Sequence, residues 1–120
     1  MLKVQTWTKI ALLLFIGYIL ISCDSVNDVK NKLLKDTPIG TTFNQVLEYC
    51  KITKLKCSQS KTAGFINQDT GKAIGVMSIS AVISERKTSL LSTSTIEAYW
   101  GFDGDGKLID IWVWKTIDSI

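Results

Sequence analysis

The 120-residue sequence contains no histidine. Histidine is the most frequent general base and the most frequent metal ligand in proteins, so its absence excludes a Ser-His-Asp triad. A Ser-Lys nucleophile pair is compatible with the composition, but no motif indicates one. We therefore predict that the chain is not an enzyme and that it needs no cofactor or metal.

One acidic segment, residues 103–106, has the sequence Asp-Gly-Asp-Gly and raises the question of calcium. An EF-hand needs further oxygen ligands at fixed offsets and a glutamate at its twelfth position. Counted from Asp103, the fifth position is Lys107 and the twelfth is Trp114, so the pattern fails. Asp-Gly is favoured where a hairpin needs positive φ, and the segment therefore predicts a turn between strands.

The sequence also lacks a long hydrophobic run. Crossing a membrane takes about 20 apolar residues, whereas residues 10–21 form an apolar run of twelve that follows Lys3 and Lys9. That length and that flanking charge are typical of a signal peptide. The run ends in Leu-Ile-Ser-Cys, residues 20–23, which resembles the lipobox of bacterial lipoproteins.

The resemblance implies that Cys23 receives a diacylglycerol on sulfur, that residues 1–22 are removed and that the new amine is acylated. Two or three acyl chains anchor a protein stably, whereas one does not. The alternatives are an uncleaved anchor helix, or an ordinary secretory signal with a chance cysteine. On the lipoprotein interpretation the protein is attached to a bilayer through Cys23 and faces the periplasm.

Asp24 follows the lipidation site directly. In enterobacterial lipoproteins an aspartate at that position is a retention signal for the inner membrane. The resemblance therefore implies inner-membrane sorting, with the outer membrane as the alternative.

The charge of the remaining chain is nearly balanced. Residues 1–22 hold two of the 14 basic and none of the 11 acidic residues, which leaves 12 basic and 11 acidic residues. A nucleic-acid-binding protein would show a clustered basic face, so we predict that nucleic acid is not a partner.

The first part of the mature chain predicts helices. Val26, Val29 and Leu33 form a helical stripe, compatible with either a short helix or a flexible leash. Pro38 ends this segment. A second helix is predicted over about 42–52, since Thr42 and Gln45 form a capping box. Its apolar face comprises Phe43, Val46, Leu47 and Cys50.

The rest of the chain predicts strands, because apolar residues alternate with a period of two. We expect a short strand from residue 64, strands over 73–84, 95–102 and 108–117, and a loop over 85–94. The expected fold is α+β, with one or two N-terminal helices packed on a three- to four-stranded antiparallel sheet. The expected division is signal peptide 1–22, lipidated N-terminus and tether 23–37, and domain 38–120.

Two tryptophans lie on the last predicted strand. Simple alternation places Trp112 and Trp114 on one face with Leu108, and Ile109, Ile111 and Val113 on the other. Either the tether or the 85–94 loop covers the tryptophans, or they form an exposed aromatic ridge that binds a partner.

The chain has three cysteines, and assigning Cys23 to lipid leaves Cys50 and Cys57. Thiols pair in the oxidising compartment that the export route reaches, so we predict a Cys50–Cys57 disulfide. The alternative is a buried free thiol at Cys50.

From Pro38 onward the motifs PIGTTFNQVLEYC and FDGDGKLIDIWV resemble the BamE-like (SmpA/OmlA) lipoprotein domain. The matching positions are Gly40, Thr42, Val46, Phe102, Gly106 and Leu108, while the family's G-x-P after the first helix is replaced here by KITKLKC. The resemblance implies the architecture of that family, a helix followed by an antiparallel sheet. The function we expect is binding of another envelope protein, with a toxin-neutralising immunity protein or periplasmic inhibitor as the alternative and a hydrolase ranked third.

Overall fold

The computed structural model describes residues 25–119. The elements are α1 (Val26–Asp36), α2 (Phe43–Thr53), β1 (Cys57–Ser60), β2 (Phe65–Asn67), β3 (Lys72–Ile74), β4 (Met77–Ser89), β5 (Ser92–Phe102) and β6 (Leu108–Ser119). Four strands form an antiparallel sheet in the order β1-β4-β5-β6, and β2 pairs with β3 in a separate hairpin. Both helices pack on one face of the larger sheet, which confirms the predicted α+β class.

Helix α1 belongs to the folded domain. Ser25 caps it by accepting the backbone N–H of Asp28, and Val29 and Leu33 are buried in the same core as the sheet. Of the two alternatives, the helix forms and the leash does not. The tether predicted over 23–37 is therefore wrong for the part from Val26 onward, because packing of an apolar stripe stabilises even a short helix.

A buried threonine joins the end of α1 to the sheet. The Thr37 hydroxyl donates to the carbonyl of Leu33 at 2.6 Å and accepts the indole N–H of Trp100 at 3.0 Å. Pro38 comes next and disfavours a helical conformation at Thr37. The hydrogen bond to Thr37 thus gives the indole N–H of the fully buried Trp100 an acceptor.

Helix α2 begins at the predicted capping box. The Thr42 hydroxyl accepts the backbone N–H of Gln45 at 3.2 Å, and the Gln45 side chain accepts the backbone N–H of Thr42 at 3.0 Å. The helix ends at Lys54, which adopts a left-handed conformation with φ of 59°. Its buried side chains are Phe43, Val46, Tyr49 and Cys50.

The hydrophobic core lies between the helices and the sheet. Trp100 and Phe102 of β5 are fully buried, and the Phe43 ring meets Phe102 edge-on at 5.1 Å between centroids. The strands add the apolar side chains Ile79, Ala81, Ile83, Ile96, Ala98, Leu108, Ile111 and Val113.

Strand β4 differs from its predicted bounds at both ends, and β5 begins three residues earlier than predicted but ends at Phe102 as predicted. Residues 85–94, predicted as a loop, form the far part of the β4–β5 hairpin, with an exposed Leu90-Leu91 turn. Most side chains of residues 85–91 are exposed, so no apolar alternation marks them. The strand predicted over 73–84 is broken at Gly75, whose φ is +76° and where a Cβ would lie 2.7 Å from the Phe102 carbonyl oxygen.

Candidate functional site

The sheet face opposite the helices, here called the outer face, carries aromatic and acidic side chains at the β5–β6 pair. In the antiparallel register Trp112 lies opposite Tyr99, and Trp114 lies opposite Glu97. Directly opposite side chains have Cβ atoms about 4.5–5.5 Å apart. The strand register alone therefore brings these four side chains together.

The β2–β3 hairpin folds over one end of this patch. The Phe65 ring of β2 lies 5.7 Å from the Tyr99 ring and stacks at 6.1 Å on Trp112. Gly101 makes this approach possible, because a Cβ there would lie 2.9 Å from the Phe65 ring and 2.8 Å from the side chain of Ile74. The hairpin and the outer face thus form a continuous aromatic cluster.

Trp112 is the covered member of the cluster. Only 5 % of its surface is exposed, and its indole N–H donates to Oδ2 of Asp69, in the β2–β3 turn, at 2.9 Å. Neither predicted cover, the tether nor the 85–94 loop, lies over it; the β2–β3 hairpin does. For Trp112 the exposed-ridge prediction is therefore wrong, since the hairpin adds an apolar lid and a hydrogen-bond acceptor.

Trp114 is the accessible member. Its ring packs against Trp112 at 5.0 Å with an interplanar angle of 57°, and the residue is half-buried. Beyond it, Thr116 and Asp118 continue along the same face of β6. At Trp114 the covered aromatic cluster therefore ends, and the outer face continues as an open, polar surface.

Leu108 does not share this face. The register pairs Gly101 with Asp110 but Phe102 with Leu108, so Ile109 is an extra residue in β6. Such a bulge reverses the alternation. Leu108 is consequently buried in the core beneath the helices, and Ile109 is 43 % exposed. The predicted grouping of Leu108 with the tryptophans, and of Ile109 with Ile111, is wrong for this reason.

Tyr99 and Glu97 form the polar edge of the patch. The Tyr99 hydroxyl donates to Oε2 of Glu97 at 2.6 Å. Burial, followed by the hydrogen bond and the negative charge of Glu97, raises the pKa of Tyr99 from 10.0 to about 12. Because a carboxylate accepts through two oxygens, Glu97 can hold Tyr99 and still accept a bond from a ligand.

An open cleft of about 620 Å³ lies beside Trp114, between the hairpin and the end of the β5–β6 pair. It has an aromatic wall and two carboxylates, those of Glu97 and Asp118, and no lysine or arginine lines it. Its lining residues are Gly64, Phe65, Ile66, Gln68, Glu97, Tyr99, Trp112, Trp114, Thr116 and Asp118. Sequence reasoning found the two tryptophans but missed Phe65, Tyr99, Glu97 and Asp118, which long-range pairing brings to them.

The predicted disulfide is confirmed. Cys50, on the last turn of α2, is bonded to Cys57, the first residue of β1, with 6.3 Å between the Cα atoms. The bond joins the end of the helix to the edge strand of the sheet. It lies away from the aromatic cleft and is a structural link.

A second polar cluster joins the two helices. The buried carboxylate of Asp36 accepts from Lys32 at 2.9 Å and from the Tyr49 hydroxyl at 2.8 Å. Burial and the Asp36 carboxylate raise the pKa of Tyr49 far above its ordinary value. Each member has its partner inside the cluster, so its role is to hold α1 against α2.

The predicted signal peptide, the predicted lipidation site Cys23 and the predicted sorting residue Asp24 lie outside the described residues. Within residues 25–119 no helix has the length and apolar character needed to cross a membrane. No protein-family model matches the chain, and no curated protein or solved structure is significantly similar to it. The resemblances to bacterial lipoproteins and to the BamE-like domain therefore stay predictions.

Proposed function

We propose that the chain is a non-enzymatic lipoprotein, anchored to a membrane at its periplasmic face, that binds another envelope protein through the open part of the outer face. The pattern Leu-Ile-Ser-Cys at residues 20–23 supports the anchor. The accessible Trp114 beside the cleft is the observation that supports binding.

Trp114 has the environment of an interface residue. Tryptophan is enriched among the few residues that dominate binding energy, and such residues lie in pockets surrounded by a polar rim. Here one side of the ring is held by Trp112, while Glu97, Thr116 and Asp118 supply polar groups around it. A ring that is already fixed loses little conformational entropy on binding.

The chemistry of the cleft favours binding over catalysis. The chain has no histidine. At the cleft the Tyr99 hydroxyl, whose pKa is raised, donates a hydrogen bond to the Glu97 carboxylate. A raised phenol pKa weakens Tyr99 as a nucleophile or base at neutral pH.

Site-specific photo-cross-linking in living cells tests this function. A photoreactive residue in place of Thr116, which lines the cleft, should give one adduct of defined mass, and Trp114→Ser in the same chain should abolish it. The matched control places the photoreactive residue at Asn44, which is exposed on α2 on the opposite side of the sheet.

Equal adducts from positions 116 and 44, or an adduct at 116 that survives Trp114→Ser, would contradict the proposal. The mass of the adduct also identifies the partner. A toxin or a secreted hydrolase would assign the protein to the alternative class, an immunity protein or periplasmic inhibitor.

A further inference from the structure

We propose that the cleft beside Trp114 binds basic side chains, and that the partner presents an extended segment with at least two arginines or lysines. This inference rests on the proposed function of the outer face as a protein-binding surface. It adds the chemical character of the partner.

The charge distribution on the lining of the cleft carries the inference. Glu97 and Asp118 contribute two carboxylates to the cleft, and none of its ten lining residues is basic. Beyond residue 22 the chain as a whole is nearly balanced in charge, with 12 basic and 11 acidic residues. The negative cleft is therefore a local feature, and a cationic ligand complements it.

The aromatic rings of the cleft also attract a cationic ligand. A guanidinium or ammonium group is drawn to the face of a tryptophan ring, and tryptophan is the most effective aromatic residue for this contact. Glu97 lies directly across the β5–β6 pair from Trp114. A guanidinium stacked on Trp114 is thus within reach of the Glu97 carboxylate.

The position of Asp118 predicts the spacing between the two basic residues of the ligand. Asp118 follows Trp114 by four residues on the same face of β6, which corresponds to about 13 Å along a strand. In an extended segment, two side chains four residues apart have the same separation. One basic residue at Trp114 and Glu97 therefore places a second, four residues away, near Asp118.

Lys87 shares the strand partner Thr93 with Asp118, and Lys56 is a second cation that could compete for the carboxylates of the cleft. Lys56 lines a separate pocket of about 180 Å³ on the neighbouring side of Glu97 and Tyr99, together with Ser58 and Ser80. It is not among the residues that line the larger cleft. The cleft side of Glu97 is therefore the side that a ligand cation would occupy.

Calorimetric titration of the purified full chain in detergent tests the inference. The probe is a synthetic peptide with two arginines separated by three glycines, and its control is the same peptide with uncharged citrulline at both positions. The arginine peptide should bind at least tenfold more tightly than the citrulline peptide, and its affinity should fall as salt is raised.

Variants then locate the binding. Glu97→Gln with Asp118→Asn should weaken the arginine peptide at least tenfold, and Trp114→Leu should weaken it similarly, whereas Asp105→Asn, an exposed carboxylate in the distant β5–β6 turn, should change nothing.

Failure to bind either peptide, equal binding of the two peptides to the wild-type chain, or unchanged binding after Glu97→Gln with Asp118→Asn would overturn the inference. The proposed function would survive these results if the cross-link at position 116 still depended on Trp114. If the chain with Trp114 intact gave no adduct from position 116 but still bound the arginine peptide, only the proposed function would be contradicted.

Discussion

Trp112 and Trp114 start from the same face of β6, yet they have different surroundings. The indole of Trp112 is tied to Asp69, 43 residues earlier in the chain, and lies under Phe65. Trp114 lies just beyond the reach of the hairpin and lines the cleft. Burial of each ring is therefore decided by a distant segment and not by the local strand pattern.

Replacing each tryptophan with serine should separate stability from binding. Trp112→Ser should lower the free energy of unfolding by about 3–5 kcal/mol, because it removes a buried ring and leaves a cavity. Trp114→Ser should cost about 1 kcal/mol or less, since the residue is partly exposed. Urea unfolding measures both values. Equal losses in the two variants would show that Trp114 is part of the core rather than a binding residue.

Tyr99 should give the outer face a measurable titration. Its pKa is raised from 10.0 to about 12, so the stability that this shift represents is fully present below pH 10 and is lost as the pH rises through 12. Ultraviolet absorbance of the phenolate should therefore show Tyr99 ionising late. Glu97→Gln should move this ionisation to lower pH, because it removes the negative charge while burial remains.

Asp105→Asn is the matched control for the titration, since Asp105 is exposed in the β5–β6 turn. An unchanged Tyr99 titration after Glu97→Gln would contradict the role of that carboxylate. A downward change with Asp105→Asn of the same size would show that general charge, and not the 2.6 Å hydrogen bond, controls the phenol.

At the scale of elements, locally encoded features could be predicted from sequence. The α2 capping box and the Asp103–Lys107 turn depend on neighbours in the chain; in that turn Asp103 accepts the backbone N–H groups of Asp105 and Lys107, and φ at Gly106 is +77°. The fold class followed from the change of period from helix to strand.

Features that depend on distant segments could not be predicted. The bulge at Ile109, which turns Leu108 into the core, is fixed by pairing with β5 and has no local sequence signal. The cover over Trp112 comes from β2 and β3, whose three-residue strands are too short to show alternation. The sequence therefore showed the two tryptophans of the candidate site but neither its two carboxylates nor Phe65 and Tyr99.

The disulfide should stabilise the junction between α2 and β1 modestly. It closes a loop of only a few residues, with a sequence separation of 7, so it restrains little unfolded-state entropy and contributes about 2 kcal/mol. Reduction should lower the free energy of unfolding of the wild type by this amount. The variant Cys50→Ala with Cys57→Ala should show no response to reductant.

Alkylation of denatured, unreduced protein gives an independent check on the disulfide. The bonded form of the chain should offer neither Cys50 nor Cys57 to the reagent. Labelling of both thiols before reduction would show that the bond does not form in the protein.

At the scale of the whole molecule, the helices and the candidate site lie on opposite faces of one sheet. The folded domain begins at Val26, three residues after Cys23. Three extended residues span about 10 Å. If Cys23 carries lipid, the domain is held close to the bilayer surface, and its partner must reach the cleft there.

The sorting proposal for Asp24 can be tested with one substitution. In an enterobacterial host the wild-type chain should fractionate with the inner membrane, and Asp24→Ser should move it to the outer membrane. Wild-type protein in the outer membrane would contradict the role proposed for Asp24, while leaving lipidation itself intact.

Lipidation at Cys23 is the condition on which this placement depends. Cys23→Ala should abolish incorporation of labelled palmitate, because the variant lacks the sulfur to which the diacylglycerol would be attached. The matched control is Cys50→Ala with Cys57→Ala, which removes the two cysteines of the disulfide and should retain the label. Palmitate that survives Cys23→Ala, or is lost from the control, would contradict the lipoprotein proposal, since the label would then be attached at a cysteine other than the one that ends the apolar run.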